Sequence, residues 1–147
     1  MFTKPRKAYD KMRIEEENEL VKVYGLKNKK EIWKADSSVT VLRNRAKSLI
    51  GKDPELQQKF IQKLRDMGFK VESISEVLAL NKEDHLKRRL QSIVLEKRIA
   101  TTAKQSRQMI THKRIMVNEK VVNIPSYLVK VDEEGKIAMK SRKQNGN

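Results

Sequence analysis

Residues 98–131, RIATTAKQSRQMITHKRIMVNEKVVNIPSYLVKV, decide the fold of this chain, because helix periodicity changes to strand periodicity within them. Thr102 is followed three residues later by Gln105, a capping-box pattern that predicts a helix to about His112. From Ile115 onward, apolar and polar residues alternate, which predicts short strands. Most of the positive charge falls on the helical side, which indicates a compact module with one basic face.

The strand half of this stretch is divided by polar turns and by one proline. Asn tolerates a positive φ, so Asn118-Glu119 predicts a tight turn between the first two strands, and Pro125 ends the second. The predicted strands and turns are residues 115–117, 118–119, 121–124, 127–131, 132–135 and 136–139. We therefore expect four short strands beside the basic helix.

Cap residues and glycines divide the upstream chain into predicted helices. Asp10 can cap a helix that Gly25 ends, and Asp53-Pro54 is a strong start signal for another. The pattern Ser73-Ile-Ser-Glu76 is a capping box. The predicted helices are residues 11–24, 29–49, 54–66 and 82–95, and a short turn is predicted from Ser73 through Leu78. The first eight residues are basic, contain a proline and lack periodicity, which predicts an extended basic arm.

The charge balance indicates a polyanionic partner. The 147 residues include 34 Lys and Arg against 19 Asp and Glu, a net charge of +15. Such an excess is typical of proteins that bind nucleic acid. Residues 85–114 carry nine basic residues and one acid, Glu96, which favours a binding surface over a solvated helix face. Lys104, Arg107 and Gln108 can donate hydrogen bonds to phosphate oxygens.

Several other kinds of site are not expected from the residues. The chain has no Cys, which excludes disulfides and thiolate zinc sites, and His85 and His112 lack ligand spacing, so no metal site is expected. No apolar run approaches membrane-spanning length. No Gly-rich phosphate loop and no recognisable nucleophile–base pair is present. We expect a soluble intracellular protein that is not an enzyme and needs no cofactor.

Short motifs in this chain resemble one known family. Similarity to the RNA-binding domain of the ribosomal protein S-four family is carried by Arg88-Arg89-Leu90, Ile99-Ala100, residues 105–110 (QSRQMI), residues 115–118 (IMVN) and residues 122–129 with Pro125-Ser126-Tyr127. Similarity to the archaeal and eukaryotic branch of that family is carried by residues 4–6 (KPR), 24–33 (YGLKNKKEIW) and 77–80 (VLAL). The resemblance covers nearly the whole chain.

The resemblance implies a fold, a partner and a location. The implied fold is α+β, with a helical N-terminal region and basic arm at residues 1–80. An RNA-binding domain of two helices on a short bent antiparallel sheet follows at 81–140, and a flexible tail at 141–147. The implied function is that of a structural constituent of the small ribosomal subunit, which binds its RNA early in assembly. It would sit in the cytoplasm at a 5′-domain helix junction near the messenger RNA entry path, beside neighbouring ribosomal proteins.

The resemblance also implies which residues contact RNA. The carried-over contacts are Arg88, Arg89, Lys104, Arg107, Gln108, His112, Lys113 and Arg114. Secondary candidates in the arm and at the start of the second long helix are Lys4, Arg6, Lys7, Lys29 and Lys30. Two positions differ from the family pattern: Glu119 stands where many members have glycine, and Lys113 where bacterial members have glycine. The bacterial cysteine cluster is absent, so no zinc is expected.

Three alternatives remain open at this level. One is a ribosome-assembly factor that carries the same domain without being a ribosomal protein. Another is a helix-turn-helix DNA binder formed by residues 82–95 and 102–112, although the connection is long for that motif. The third is a fragment of an enzyme that carries the domain, for which the chain leaves no room for a catalytic part.

Overall fold

The structure is a computed structural model that describes Phe2 and residues 4–140. Within these residues the elements are α1 Lys11–Tyr24, α2 Lys30–Leu49, α3 Pro54–Asp66, α4 Ile74–Leu78, α5 Lys82–Lys87, α6 Leu90–Glu96, α7 Ala103–Thr111, β1 Ile115–Val117, β2 Lys120–Val121, α8 Val131–Glu134 and β3 Ile137–Met139. The predicted α+β class, with helices first and a small antiparallel sheet after them, is confirmed. The expected tail, residues 141–147, lies outside the described part of the chain.

The predicted helix caps form as expected. Asp10 accepts a hydrogen bond from the amide of Arg13, and Ser73 accepts one from the amide of Glu76. Thr102 accepts one from the amide of Gln105. These short-range bonds satisfy amide groups that have no partner inside the helix. Local chemistry therefore accounts for where α1, α4 and α7 begin.

Helix α2 runs without interruption through residues 37–41, which are poor helix formers. Val39 lies within that run and is completely buried, and Ala35 and Ala46 are buried on the same side of the helix. The hydroxyl groups of Ser38 and Thr40 donate back to carbonyls one turn earlier, at 3.0 and 2.9 Å. Packing against α4 and α5 therefore outweighs the weak intrinsic propensity of this segment.

The prediction of one helix over residues 82–95 is wrong, because the chain breaks it into α5 and α6. Arg89 adopts an extended conformation with φ −71° and ψ 146°. The amide of Leu90 donates to the carbonyl of Tyr127 at 2.7 Å, and the amide of Val129 donates to the carbonyl of Arg88 at 3.1 Å. Backbone pairing with a distant segment thus replaces helical hydrogen bonds at this point.

The predicted four-strand arrangement is also corrected. Residues 127–131 form no strand; they make an isolated bridge between Leu128 and Arg89. The predicted turn at 132–135 is largely the short helix α8, and the second strand is limited to Lys120–Val121. The sheet has the order β2-β1-β3, with β1 paired antiparallel to both neighbours. The third predicted segment is drawn away from the sheet because it pairs with the α5–α6 break.

Three hydrophobic clusters hold these elements together. Their most buried members are Leu90, Ile110, Ile115 and Val129 in the C-terminal cluster, Val39, Leu64 and Val77 among α2 to α4, and Leu20, Ile32 and Leu86 among α1, α2 and α5. The C-terminal cluster packs α6 and α7 against the sheet. Because one side of α7 is buried in this cluster, the packing fixes which residues of α7 face outward.

We expect Glu119→Gly to raise the free energy of unfolding by about 1 kcal/mol. Asn118 and Glu119 have φ of 52° and 66°, as a two-residue hairpin turn requires, and glycine adopts this region without strain. Urea denaturation would measure the change. As a control, Lys120→Gly in β2 should lower stability, since glycine weakens a strand. A loss of stability in Glu119→Gly would contradict the strain argument.

Candidate nucleic-acid interface

Helix α7 presents a row of donor groups to solvent. Lys104 and Gln108 are exposed and lie one turn apart on the same side of the helix. His112, Lys113 and Arg114 follow at its C-terminal end and are also exposed. We call these five residues the α7 face. Lys104 and Gln108 are about 6 Å apart along the helix axis at 1.5 Å per residue, and the other three extend the face beyond the helix end. The arrangement is a continuous surface of cationic and amide donors.

The orientation of the α7 face is fixed from the buried side of the helix. Ser106 and Ile110 are completely buried. The hydroxyl of Ser106 donates to the carbonyl of Gln91 in α6 at 2.6 Å, which prevents rotation of α7 about its axis. Lys104 and Gln108 are therefore held outward by packing and by a hydrogen bond, before any partner binds.

The C-terminal end of α7 is shaped by a left-handed residue. Lys113 has φ 60°, and the amide of Arg114 donates back to the carbonyl of Met109 at 3.0 Å. Cations at this end of a helix are favourable for its dipole, but Lys104 lies near the opposite end, where a cation is unfavourable. The charge of Lys104 therefore does not serve helix stability, which agrees with a role toward an anionic partner.

Two of the predicted RNA-contact residues form ion pairs inside the protein. The side chain of Arg89 is 5% exposed and donates to Glu31 Oε1 from Nη2 at 2.9 Å. Arg107, which is 24% exposed, donates to the same oxygen from Nη1 at 3.0 Å. Glu31 belongs to the first turn of α2, so this cluster, which we call the Glu31 joint, connects the N-terminal helices to α6 and α7.

The Glu31 carboxylate is held ionised by the joint. Burial on its own would raise the pKa of Glu31, but hydrogen bonds from Arg89 and from the amide of Lys27, together with the charges of Arg89 and Arg107, lower the pKa below its ordinary value of 4.5. The amide of Lys27 donates to Oε2 at 2.7 Å. At neutral pH the joint is therefore a carboxylate between two guanidinium groups.

Gln91 completes the connection between the two halves of the protein. It is buried, and its side-chain amide donates to the carbonyls of Tyr24 and Gly25 at 2.7 and 3.1 Å and to that of Ala103 at 3.2 Å. The end of α1 and the start of α7 are thus joined through one side chain. An amide within the apolar stripe of α6 is the signal that could have indicated this role from sequence.

Comparison with known proteins identifies the family. The family model described as "S4 domain" matches residues 88–134. Small ribosomal subunit protein uS4 of Picrophilus torridus is 41% identical, over 92% of this chain and 79% of the relative. The uS4 proteins of Methanosphaera stadtmanae and Nanoarchaeum equitans are each 43% identical, over 89% and 90% of this chain and 80% and 78% of the relatives. The chain belongs to the uS4 family of small ribosomal subunit proteins.

Family membership confirms the resemblance found in the sequence. The matched S4 domain begins at Arg88 and ends at Glu134, inside the predicted domain at 81–140; the predicted boundaries themselves stay a prediction. Gly25 and Glu31 lie upstream of the match, so the Glu31 joint connects the S4 domain to the preceding helices. No helix in the described residues combines the length and apolar character needed to cross a membrane.

Arg88, the first residue of the S4 domain match, is also held internally. Its guanidinium forms an ion pair with Glu134 of α8, and Nη2 donates to the carbonyl of Val129 at 2.6 Å. Nε donates to the carbonyl of Met67 at the end of α3, at 3.3 Å. Arg88 therefore links α3, α8 and the segment before α8, rather than extending into solvent.

His85 lies beside the Glu31 joint without being a contact residue. It is half-buried, and burial followed by the positive charge of Arg89 lowers the pKa of its imidazole. Within the described residues, buried Nδ1 of His85 and Nε of Arg89 have no hydrogen-bond partner. His85 is therefore neutral at physiological pH, and it adds no further positive charge to the two guanidinium groups of the joint.

The secondary candidates lie on the N-terminal side. Lys4, Arg6, Lys7 and Lys30 are exposed, whereas Lys29 lies 3.8 Å from the buried carboxylate of Glu17.

The arm is held against the helices. The guanidinium of Arg13 donates to the carbonyls of Lys7 and Ala8, and the ring of Phe2 packs 6.2 Å from that of Trp33. The described part of the predicted arm thus follows the surface of α1 and α2.

The structure divides the nine basic residues between His85 and Arg114 into three groups. Arg88, Arg89 and Arg107 form ion pairs with carboxylates. Lys97 donates to the backbone carbonyl of Glu134. In the described residues, the other five are exposed and form no ion pair: Lys87, Arg98, Lys104, Lys113 and Arg114. Besides Gln91, the carboxylates Glu31 and Glu134 are residues whose role sequence reasoning missed.

Proposed function

We propose that this chain binds ribosomal RNA through the α7 face, as a structural constituent of the small ribosomal subunit. The observation that carries the proposal is the one-sided distribution of charge. Nearby carboxylates pair with internal arginines, while the cations of the α7 face remain exposed and unpaired. A surface of unpaired cations on a fixed helix suits a phosphate backbone.

The proposed mechanism is electrostatic and depends on shape. Lysine and arginine groups neutralise phosphates and release condensed counterions, and the guanidinium of Arg114 can engage two phosphate oxygens at once. Because the buried side of α7 is anchored, the donors are positioned without a large loss of conformational entropy on binding. The protein would then hold RNA helices in one mutual arrangement, with contacts mainly to the backbone.

The internal arginines have different roles in this proposal. Arg88 and Arg89 act as positioning residues, since their guanidinium groups are bound within the protein. Arg107 lies between the internal arginines and the α7 face. The hydrogen bonds described for its guanidinium all come from Nη1. Its Nη2 and Nε can therefore approach a phosphate while Nη1 stays on Glu31.

The finer features carried over from the family are part of the same proposal. These are binding early in assembly, a 5′-domain helix junction, a position near the messenger RNA entry path, contact with neighbouring ribosomal proteins and a location in the cytoplasmic ribosome. The exposed cations of the arm and of Lys30 provide a second contact area. A structural role of this kind involves no catalysis. The assembly-factor alternative is not favoured, because relatives such as those of Picrophilus torridus and Methanosphaera stadtmanae are named as ribosomal proteins.

We expect the affinity for a junction-containing fragment of small-subunit ribosomal RNA to fall with salt. If about six phosphates are engaged, the slope of log affinity against log salt should be roughly −4 to −5. Lys104→Ala should weaken binding severalfold and reduce the size of the slope by about one. Lys104 is the suitable residue because it forms no ion pair in the described structure, so its removal does not disturb the Glu31 joint.

The matched control is Lys47→Ala, which removes an exposed lysine at the far end of α2. It should leave the affinity within about twofold and the slope unchanged. Equal slopes for the unmodified protein and Lys104→Ala would show that the α7 face does not contact RNA. Equal binding to a plain RNA duplex of the same length would argue against recognition of a junction.

A further inference from the structure

Helices α2 and α3 enclose a groove whose floor is apolar and open to solvent. Val41 on α2 is 66% exposed and Leu56 on α3 is 48% exposed, and half-buried Phe60 lies between the two helices. The volume of the groove is about 820 Å³. Among the described residues that line it, none belongs to the S4 domain match, so this surface is separate from the α7 face.

The apolar floor exists because the stripe of α3 is incompletely covered. Of the thirteen residues of α3, all of which the structure describes, Leu64 alone is fully buried. Leu56 and Phe60 lie on the same stripe at a spacing of four residues, yet both retain exposed surface. Contiguous exposed apolar surface is unfavourable in water and commonly marks a contact with another macromolecule.

The rim of the groove carries charge of one sign. Arg45 and Lys52 line it from the side of α2, and Lys59 and Lys63 line it from α3. None of the described residues that line the groove is acidic. The groove therefore combines an apolar floor with four cations along its edges.

We propose that this groove docks an amphipathic helix of another protein, with apolar residues on one face and carboxylates on both sides of that face. The apolar residues would cover Val41, Leu56 and Phe60, and the carboxylates would meet the four basic side chains. Helices bind to grooves in this way through residues spaced three and four apart. The inference goes beyond the proposed function, since it concerns a surface that the α7 face does not use.

The chemistry of the groove favours this occupant over others. RNA would place phosphates and polar base edges over apolar side chains, which offer them no hydrogen bonds. A second copy of the chain would bring four cations against four cations. The C-terminal residues 141–147 contain Arg142 and Lys143 and no acid, so they would also be repelled.

The test uses the full chain and fluorescein-labelled synthetic peptides of about four helical turns. The acidic peptide has Leu at positions i, i+3, i+4 and i+7 with Glu at its flanks. A second peptide contains Lys in place of Glu, and a third is a scrambled form of the first with the same charge. Fluorescence anisotropy measures their affinities. The acidic amphipathic peptide should bind at least about tenfold more tightly than the other two.

Variants of the groove locate the binding. Leu56→Glu and Val41→Ser should each weaken binding of the acidic peptide by about tenfold or more, and Lys59→Glu should weaken it while improving binding of the Lys peptide. The control Lys47→Glu changes the net charge by the same amount at a residue outside the groove. It should change the affinity for the acidic peptide by less than about twofold. Circular dichroism melting of each variant confirms that it is folded, and Val41→Ser replaces Leu56→Glu if the latter unfolds.

Other outcomes would overturn the inference. Equal binding of the ordered and scrambled acidic peptides would mean that net charge alone attracts them. A loss of RNA affinity in Val41→Ser as large as its loss of peptide affinity would assign the groove to RNA. A dimer in sedimentation that Val41→Ser dissociates would assign it to a second copy. If Lys104→Ala leaves the salt dependence of RNA binding unchanged, the peptide result is unaffected. The RNA-binding proposal and the groove proposal can therefore fail separately.

Discussion

Gly25→Ala is expected to lower the free energy of unfolding by about 3 kcal/mol or more, because it combines backbone strain with a clash. Gly25 ends α1 with φ 60°. A Cβ atom there would lie 2.8 Å from Cβ of Ala103 and 2.9 Å from its backbone carbonyl carbon. Ala103 is the first residue of α7, so relief of the clash requires that α1 and α7 separate. Urea denaturation would measure the loss.

Gly51→Ala provides the matched control for the backbone effect. Gly51 has φ 77°, but a Cβ atom there would have no neighbour within 4 Å. Its cost should be about 1 kcal/mol, which is the strain of a left-handed alanine alone. The difference between the two variants isolates the contact between α1 and the S4 domain. If both variants lost the same free energy, the close approach of Gly25 to Ala103 would not be important for stability.

Glu31→Gln is expected to lower the free energy of unfolding by about 2–3 kcal/mol, because it leaves Arg89 almost fully buried without a counter-charge. The side chain of Glu31 is 17% exposed, and it accepts bonds from Arg89, Arg107 and the amide of Lys27. Glutamine has the same shape as glutamate, but it lacks the negative charge and has one acceptor oxygen in place of two. Thermal or urea unfolding would measure the effect.

A double-mutant cycle separates the two guanidinium groups. Glu31→Gln combined with Arg89→Met should recover part of the lost stability, since the buried charge is removed together with its partner. Arg107→Met alone should cost less than Arg89→Met alone, because Arg107 is 24% exposed and solvent screens its charge. Strict additivity of Glu31→Gln and Arg89→Met would rule out the direct pair.

The same joint predicts a pH dependence of stability. The pKa of Glu31 is lower in the folded protein than its ordinary value of 4.5, so the folded state favours the ionised form. Its contribution is therefore fully present above about pH 4.5 and is lost as the pH falls through the lowered folded value. Glu31→Gln should lose less stability than the unmodified protein over this acidic range.

Local signals in the sequence were sufficient for much of the fold. Asp10, Ser73 and Thr102 cap helices as predicted, and Gly25 and Asp53-Pro54 mark helix ends correctly. Each of these signals involves residues only a few positions apart, so it acts without knowledge of the rest of the structure. The positive φ of Asn118 and the alternation of buried and more exposed residues in β1 are also short-range signals of this kind.

Predictions failed where a distant segment competes with local preference. The helix break at Arg89 and the missing strand at 127–131 have one cause, the pairing of Leu90 with Tyr127 and of Arg88 with Val129. In sequence, these pairs span most of the S4 domain match at 88–134. The apolar periodicity of a short window of sequence therefore cannot reveal them. The same limit affects α2, where burial of Val39 maintains a helix through weak helix formers.

The sequence by itself determined the family, the helix starts and the excess of positive charge near α7. The tertiary structure decided which of those cations are exposed and which are paired with carboxylates inside the protein. Arg89 and Arg107 are separated from Glu31 by 58 and 76 positions in sequence, yet both donate to its carboxylate. Whether an arginine points inward depends on the carboxylate that folding brings to it, and charge counted along the chain carries no information on that distance.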